Sequence, residues 1–380
     1  MKKKIMVFWC LLLISFLLPM AAEAEPAPSQ DSWFYGQIYV DNIRMTSAYA
    51  TAEDGYAYVD ENGRLMISLR GTMDMLDIPL QWDAAKKQVI IPESKNGRIL
   101  FQLDSKEYWV NGQKKEMDTQ PVMIEPGRVH VPLRYLAESI GAEVIYGDFV
   151  LNDMKQVDII TSQEKASENL KNSNVRQWSN AICTFIRLNG KVYESGLSDG
   201  ISEEKKAAIV DSFKMVGIEN RESLLSAVDL RDLGNTGNSE FVLIAMLQQI
   251  GVTELGYTEQ EAAYMLPYTK ILLDKWQEKG IRAFDRFVVI QMVDAGYVAG
   301  FLTEREAIQL TSVYAEVLQH EFGNWDNAVE NYLDGFAWNA KIDVREKDTV
   351  YVKMKKRYEE MKSADASPFQ EELFAQQIEG

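Results

Sequence analysis

Two carboxylates stand out as groups that chemistry would use. Asp285 lies among Phe284, Phe287, Val288, Val289 and Ile290, so the spacing puts an acid on a helix that buries most of its surface. A carboxylate so placed either works as an acid or base in a pocket, or is held by an ion pair with Arg282 or Arg286 or by a capping contact. Asp294 follows nine residues later, about two and a half turns on and near the same helix face, which makes a carboxylate pair one arrangement to test. Glu316 and His320, at i and i+4, share a face as half a metal site or a surface hydrogen-bonded pair would. Trp325, Tyr332, Phe336 and Trp338 gather around Gly323 and Gly335; Trp325, Tyr332 and Trp338 are the candidate wall of a sugar or peptide groove, and the same spacing also fits a packing stripe.

Other chemistries are closed by composition. The chain holds two His and two Cys, too few for a structural zinc site or a His-built catalytic metal centre, so neither metal nor cofactor is expected. No G-x-S-x-G elbow, G-x-x-x-x-G-K-[ST] loop or G-x-G-x-x-G loop occurs, which leaves serine hydrolase and nucleotide chemistry without support. The 40 Lys and Arg against 57 Asp and Glu give a net charge of −17 over 380 residues, too acidic for a nucleic-acid binder. At 46% hydrophobic residues the chain folds around a core.

The first residues point to export. Lys2, Lys3 and Lys4 precede an apolar run from Ile5 to Met20 and then Ala22-Glu23-Ala24, the pattern of a secretory signal peptide over residues 1–24, with an uncleaved anchor as the alternative. Cleavage removes Cys10 and leaves Cys183 alone, so no intramolecular disulfide is available and packing must supply the stability. Cys183 itself, within Ala181-Ile182-Cys183-Thr184-Phe185-Ile186, reads as a buried small hydrophobe.

The elements that must position these residues fall into two regions. Residues 33–161 favour short alternating strands broken by Asn62-Gly63, Asn96-Gly97 and Asn111-Gly112, the last a tight hairpin turn. The region repeats itself: Gly63-Arg64-Leu65-Met66-Ile67-Ser68-Leu69-Arg70 is echoed at an offset of 64 by Gly127-Arg128-Val129-His130-Val131-Pro132-Leu133-Arg134. In each copy a short helix follows, then a strand carrying Trp82 or Tyr146 and a further strand, a strand-helix-strand-strand unit used twice. Residues 162–175 turn polar and read as a linker or short solvated helix. From 176 to 342 the apolar spacing is helical, with about seven or eight helices, capping boxes at Thr258 to Glu261 and Thr303 to Glu306, and Pro267 as a break or kink. Residues 343–380 read as a charged helix and a tail that frays beyond Ser363. The fold class expected is therefore a two-domain chain, a small α+β domain of antiparallel strands packed on short helices with an internal repeat, followed by an all-α domain.

The stretch VNGQKKEMDTQPVMIEPGRVHVPLRYLAESIGAEV resembles the copper amine oxidase N-terminal-like domain, a stalk module of secreted and surface proteins of Gram-positive bacteria, and the resemblance extends more loosely to the first copy. It implies a carrier module without the oxidase's catalytic part, and His130 and His320 are too few for a three-histidine copper site. In the helical region, VRQWSNAICTFIRLNG, GIENRESLLSAVDLRDLGNTGNSEF, IRAFDRFVVIQMVDAGYVAGFLTEREAIQL and GNWDNAVENYLDGFAWNA resemble domain-of-unknown-function family 1266. That resemblance leads one to expect a His after Gly237, where Asn238 stands, and an Arg three after Asp285, where Val288 stands.

These readings converge on a secreted or cell-surface binding or scaffolding protein. Its partner would be a cell-envelope component or another surface protein; nucleic acid is excluded, and after signal cleavage no integral membrane segment remains. The alternative is an enzyme acting on an envelope polymer through Asp285, with Asp294 as second carboxylate.

Overall fold

A computed structural model describes residues 26, 28–46, 57–125, 127–150, 154–186, 196–199, 201–232, 237–252 and 255–378. The expected signal peptide lies outside these residues. Two compact units emerge, one built on residues up to Phe149 with Asp153–Asn169, the other on Val150–Asn152 and Leu170–Gly380.

The first unit is strand-rich. Its two repeat copies begin with β4 (Leu65–Ser68) leading into α1 (Leu69–Met75), and β11 (Arg128–Pro132) leading into α2 (Leu133–Ile140). They continue into β5 (Gln81–Asp83) and β6 (Gln88–Ile91), and into β12 (Glu143–Asp148) and β13 (Lys155–Ile160), the strand-helix-strand-strand order read from the sequence. β4 and β11 pair antiparallel with Ser68 opposite His130, Ile67 opposite Val131 and Met66 opposite Pro132. Ile67 and Val131 are equivalent positions of the repeat, so a local two-fold axis runs through that pair. Two further sheets grow from the outer strands. β5 and β6 continue through β7 (Ile99–Gln102), β8 (Glu107–Val110) and β9 (Gln113–Glu116). β12 and β13 continue through β1 (Gly36–Val40) and β2 (Ile43–Thr46), where β1 and β13 run parallel, a departure from the purely antiparallel expectation. Asn111 and Gly112 turn β8 into β9 at φ 49° and 79°, the conformation a two-residue hairpin needs.

Ile38, Ile67, Met73, Ile91, Phe101, Val131, Leu136 and Ile159 form one core, contributed by all three sheets and both helices. His130 lies on the strand face, buried, its ring 5.6 Å from that of Tyr58.

The stretch expected as a linker or short solvated helix is α3 (Gln163–Asn172). Its first part is tied to the hairpin turn between β1 and β2: Asn42 Nδ2 donates to the Ala166 carbonyl at 2.9 Å, and Asn169 Nδ2 to the Asp41 carbonyl at 2.7 Å.

From α3 onward the described residues hold twelve α-helices. α4 (Val175–Ile186), α5 (Gly196–Asp199), α6 (Glu203–Met215), α7 (Arg221–Asp232) and α8 (Gly237–Gln249) precede α9 (Glu259–Trp276), which runs through Pro267. Then come α10 (Arg282–Ala299), α11 (Glu304–Phe322), α12 (Trp325–Asn339), α13 (Val350–Lys362) and α14 (Glu371–Ala375). α10 is the axis of the unit, packed by α4, α5, α6, α7, α8, α11 and α12. Such close packing needs small residues: a Cβ on Gly335 of α12 would meet the Cβ atoms of Phe284 and Ile281.

Both capping boxes form, Thr258 with Glu261 and Thr303 with Glu306. Burial would raise the Glu306 carboxyl, but the Thr303 amide and hydroxyl and Arg221 outweigh it and hold the group below its ordinary value. Lys362 likewise, against the opposing effect of burial and with help from the Tyr358 hydroxyl, holds Asp326 low and so fastens α13 to the start of α12. Groups depressed in the folded state contribute stability above their unfolded pKa and lose it as pH falls through the folded one. The helical unit is therefore expected to weaken below about pH 4. The double variant Glu306→Gln, Asp326→Asn should be less stable at pH 7 and show a flatter melting temperature between about pH 5 and pH 2. An unchanged acid slope would remove these two carboxylates from the account.

The tail does not fray. Phe369, Leu373, Phe374 and Ile378 are all buried, and the Phe374 ring lies 5.0 Å from both Trp178 and Trp325. Trp325 Nε1 donates to the Gln370 carbonyl at 3.1 Å, fixing the segment's backbone as well. The charged residues between these apolar ones mask a stripe that only the facing helices reveal.

Candidate functional site

Asp285 and Asp294 are both buried on α10, and each is closed onto the start of another helix. Asp285 accepts the Gly237 amide at 3.1 Å and the Asn238 amide at 2.9 Å, capping α8. Asp294 accepts the Gly196 and Leu197 amides at 3.1 and 3.3 Å and the Ser179 hydroxyl at 3.1 Å, capping α5. A carboxylate at these positions satisfies amides that have no partner within their own helix and faces the positive end of the helix dipole. The capping contact expected of a held carboxylate is thus present at Asp285. Arg282 is paired with Glu321 at 2.8 Å, and Arg286 lies over the Tyr314 ring at 5.5 Å. Nine residues of helix separate the two aspartates by about 13 Å, beyond the reach of a glycosidase-type carboxylate pair.

Asn238, standing where the resemblance leads one to expect a His, is part of this scheme. Its Oδ1 accepts the Ile281 amide at 2.7 Å, while Asn331 accepts the Ala283 amide at 2.9 Å and donates to the Gly280 carbonyl at 2.8 Å. α8 and α10 thus cap each other's beginnings. Asp334 closes a neighbouring polar cluster, accepting Tyr268 Oη, Lys275 Nζ and Trp276 Nε1 at 3.1, 2.7 and 2.8 Å.

The aromatic residues expected as a groove wall are interior. Trp325, Tyr332 and Trp338 are buried: Trp325 sits 4.4 Å from Trp178, Tyr332 stacks at 4.9 Å on Phe287, and Trp338 meets Phe241 at 5.4 Å. The packing stripe is the arrangement found, because their partners arrive from helices distant in sequence. Burial pushes the Tyr332 phenol up from its ordinary value. Cys183 is buried beside Ser179. His320 is exposed in the last turn of α11, with Glu316 one turn earlier. Among the described residues no three His, Cys, Asp or Glu side chains come together as a metal would require, and no helix is long and apolar enough to cross a membrane.

Among the described residues the strand-rich unit carries several clefts, and two of them correspond. One, of about 540 Å³, is flanked by Arg70, Trp82, Gly127 and Arg128. The other, of about 250 Å³, is flanked by Arg134, Tyr146, Gly63 and Arg64. Every member of the first set is the repeat equivalent of a member of the second at the 64-residue offset, and Leu69 with Leu133 and Val129 with Leu65 extend the match to the floors. The two-fold pairing of β4 with β11 is the cause. It sets the Gly-Arg start of each first strand beside the helix start and aromatic strand of the other copy. Trp82 and Tyr146 remain 40% and 55% exposed, unusual for rings of this size at the edge of a cavity. Partial burial raises the Tyr146 phenol, and the charges of Arg134 and Arg64, which line the same cleft, oppose that rise. Arg64 is paired with Asp118. Neither Asp285 nor Asp294 lines either cleft.

Sequence reasoning singled out the repeat and both aromatic strands but assigned them no site. The signal was present, since both copies keep an Arg at each end of the Gly-Arg to Leu-Arg stretch while only part of the stretch faces the core.

No curated protein and no solved structure matches the chain. Residues 215–373, which take in the packed tail as far as Leu373, match the family described as protein of unknown function (DUF1266), and residues 47–148, which hold both clefts apart from Phe34, match the copper amine oxidase N-terminal domain.

Proposed function

We propose that the protein is exported and acts at the cell envelope by binding, with no reaction of its own. The observation that carries this reading is the closure of Asp285 and Asp294 onto helix starts, which leaves the acids of the rival enzymatic reading without an open face. The match of residues 47–148 to a stalk-type domain supports it, as does the location of the clefts there. The basic, apolar and Ala-x-Ala sequence at the N-terminus supports export.

Two measurements test it. N-terminal sequencing of protein from the native host should begin at or near Glu25; a chain beginning at Met1 removes export by cleavage. The protein lacking residues 1–24 should sediment saturably with isolated cell envelopes and release no soluble fragments from them over hours. Fragment release would favour the enzymatic reading, and failure to sediment would end the binding one.

A further inference from the structure

We propose that the two clefts of the strand-rich unit are twin binding sites for an anionic sugar, each taking one ring that carries a carboxylate or a phosphate. This deepens the binding reading above and rests on it.

The inference starts from chemistry that occurs twice. A guanidinium from the helix start (Arg70 or Arg134) and a second from the opposite copy's strand (Arg128 or Arg64) converge on a cleft that also holds a half-exposed aromatic ring. Guanidinium groups bind carboxylate and phosphate through paired, charge-assisted hydrogen bonds. An exposed ring beside them offers a flat apolar face, which suits the C–H face of a sugar and does nothing for a bare anion. Arg70 and Arg134 are exposed and make no ion pair among the described residues, although Asp74 and Glu138 stand one turn later on the same helices. Their charge is therefore available to a ligand. Each cleft also holds one carboxylate, Asp74 in the larger and Asp118, paired with Arg64, in the smaller, so two arginines against one acid leave each cleft locally positive in a chain of net charge −17.

Packing alone does not account for the duplication. Leu69, Leu133, Ile67 and Val131 are buried and must be retained for the core, whereas Arg70, Trp82, Arg134 and Tyr146 face water and are nonetheless matched in type between the copies. The cleft at Trp82 is the larger, so the two sites should differ in affinity while sharing ligand class. Two sites on one unit also let a polymer bearing many such rings bind far more tightly than one ring does.

The test is titration calorimetry on the full chain from Glu25, with galacturonate trimer and mannose 6-phosphate as the carboxylate and phosphate probes, and galactose trimer and hexaglutamate as controls. At least one of the two anionic sugars should bind with a stoichiometry of two, and quench tryptophan fluorescence through Trp82. Trp82→Ala should reduce the stoichiometry to one and abolish the quench, and Trp82→Ala with Tyr146→Ala should abolish binding. Arg70→Gln with Arg134→Gln should weaken both sites by about tenfold or more. All four residues are exposed, so unchanged thermal melts will confirm that the variants fold. A single site, no binding by either anionic sugar, or equal binding of galactose trimer or hexaglutamate would overturn the proposal. So would a Trp82→Ala, Tyr146→Ala double variant that still sediments with envelopes as the parent does, a result that leaves the binding reading standing; a parent that fails to sediment overturns that reading itself.

Discussion

A chain ending at Ser363 is expected to lose the fixed tertiary structure of its helical unit. The deletion removes Phe369, Leu373, Phe374 and Ile378 and opens the rings of Trp178 and Trp325 to water. Each large apolar side chain is worth about 1.5–3 kcal/mol when fully buried, so the four together approach the roughly 5–15 kcal/mol that holds a whole domain folded. Near-UV circular dichroism, dominated here by buried tryptophans, should collapse while helical far-UV signal partly survives. The milder substitution Phe374→Ala should cost about 3–5 kcal/mol and lower the melting temperature by roughly 10 °C. If the truncated chain keeps its near-UV spectrum and a cooperative melt, the tail is an ornament on the unit and its burial contributes little.

The second large effect belongs to Asp285. Asp285→Ala removes an acceptor from two half-buried amides and leaves a cavity at the start of α8, for an expected loss of about 3 kcal/mol. Asp285→Asn keeps one good acceptor and should lose about half of that. Amide hydrogen exchange at Gly237 and Asn238 should accelerate in both variants before global unfolding does. A functional acid gives the opposite pattern, since its neutralisation commonly leaves stability unchanged or improved. Equal melting temperatures for the parent and Asp285→Asn would therefore reopen the catalytic reading.

What could be read in the sequence was what depends on near neighbours. The Asn111-Gly112 hairpin and the two capping boxes are each specified within a few residues, the strand-helix-strand-strand unit by a pattern that recurs 64 residues on, and each forms where its signal stands. Asp285 and Asp294 are different. Their type and apolar surroundings announce a constrained carboxylate, but the amides they hold lie 48 and 98 residues away, and no spacing rule connects them. The same holds for Trp325 and Phe374, whose contact makes a core residue of one candidate groove wall and an anchor of a tail expected to fray. The clefts fall between these cases. Their side chains stood in the repeat, yet only the antiparallel register of β4 on β11 shows that each site borrows from both copies.

That exchange limits how the strand-rich unit can change over generations. A duplicated module whose copies stand side by side can lose or replace one copy and keep the other intact. Here Ile67 faces Val131, and each copy's leading strand finishes its twin's cavity, so deleting either copy would leave a bare sheet edge and two half-sites. Mutations in one Gly-Arg strand are judged by the performance of the other copy's aromatic residue. The copies differ at Met66 against His130 and Ser68 against Pro132, whereas at the cleft Trp82 against Tyr146 is a change of ring with a ring retained.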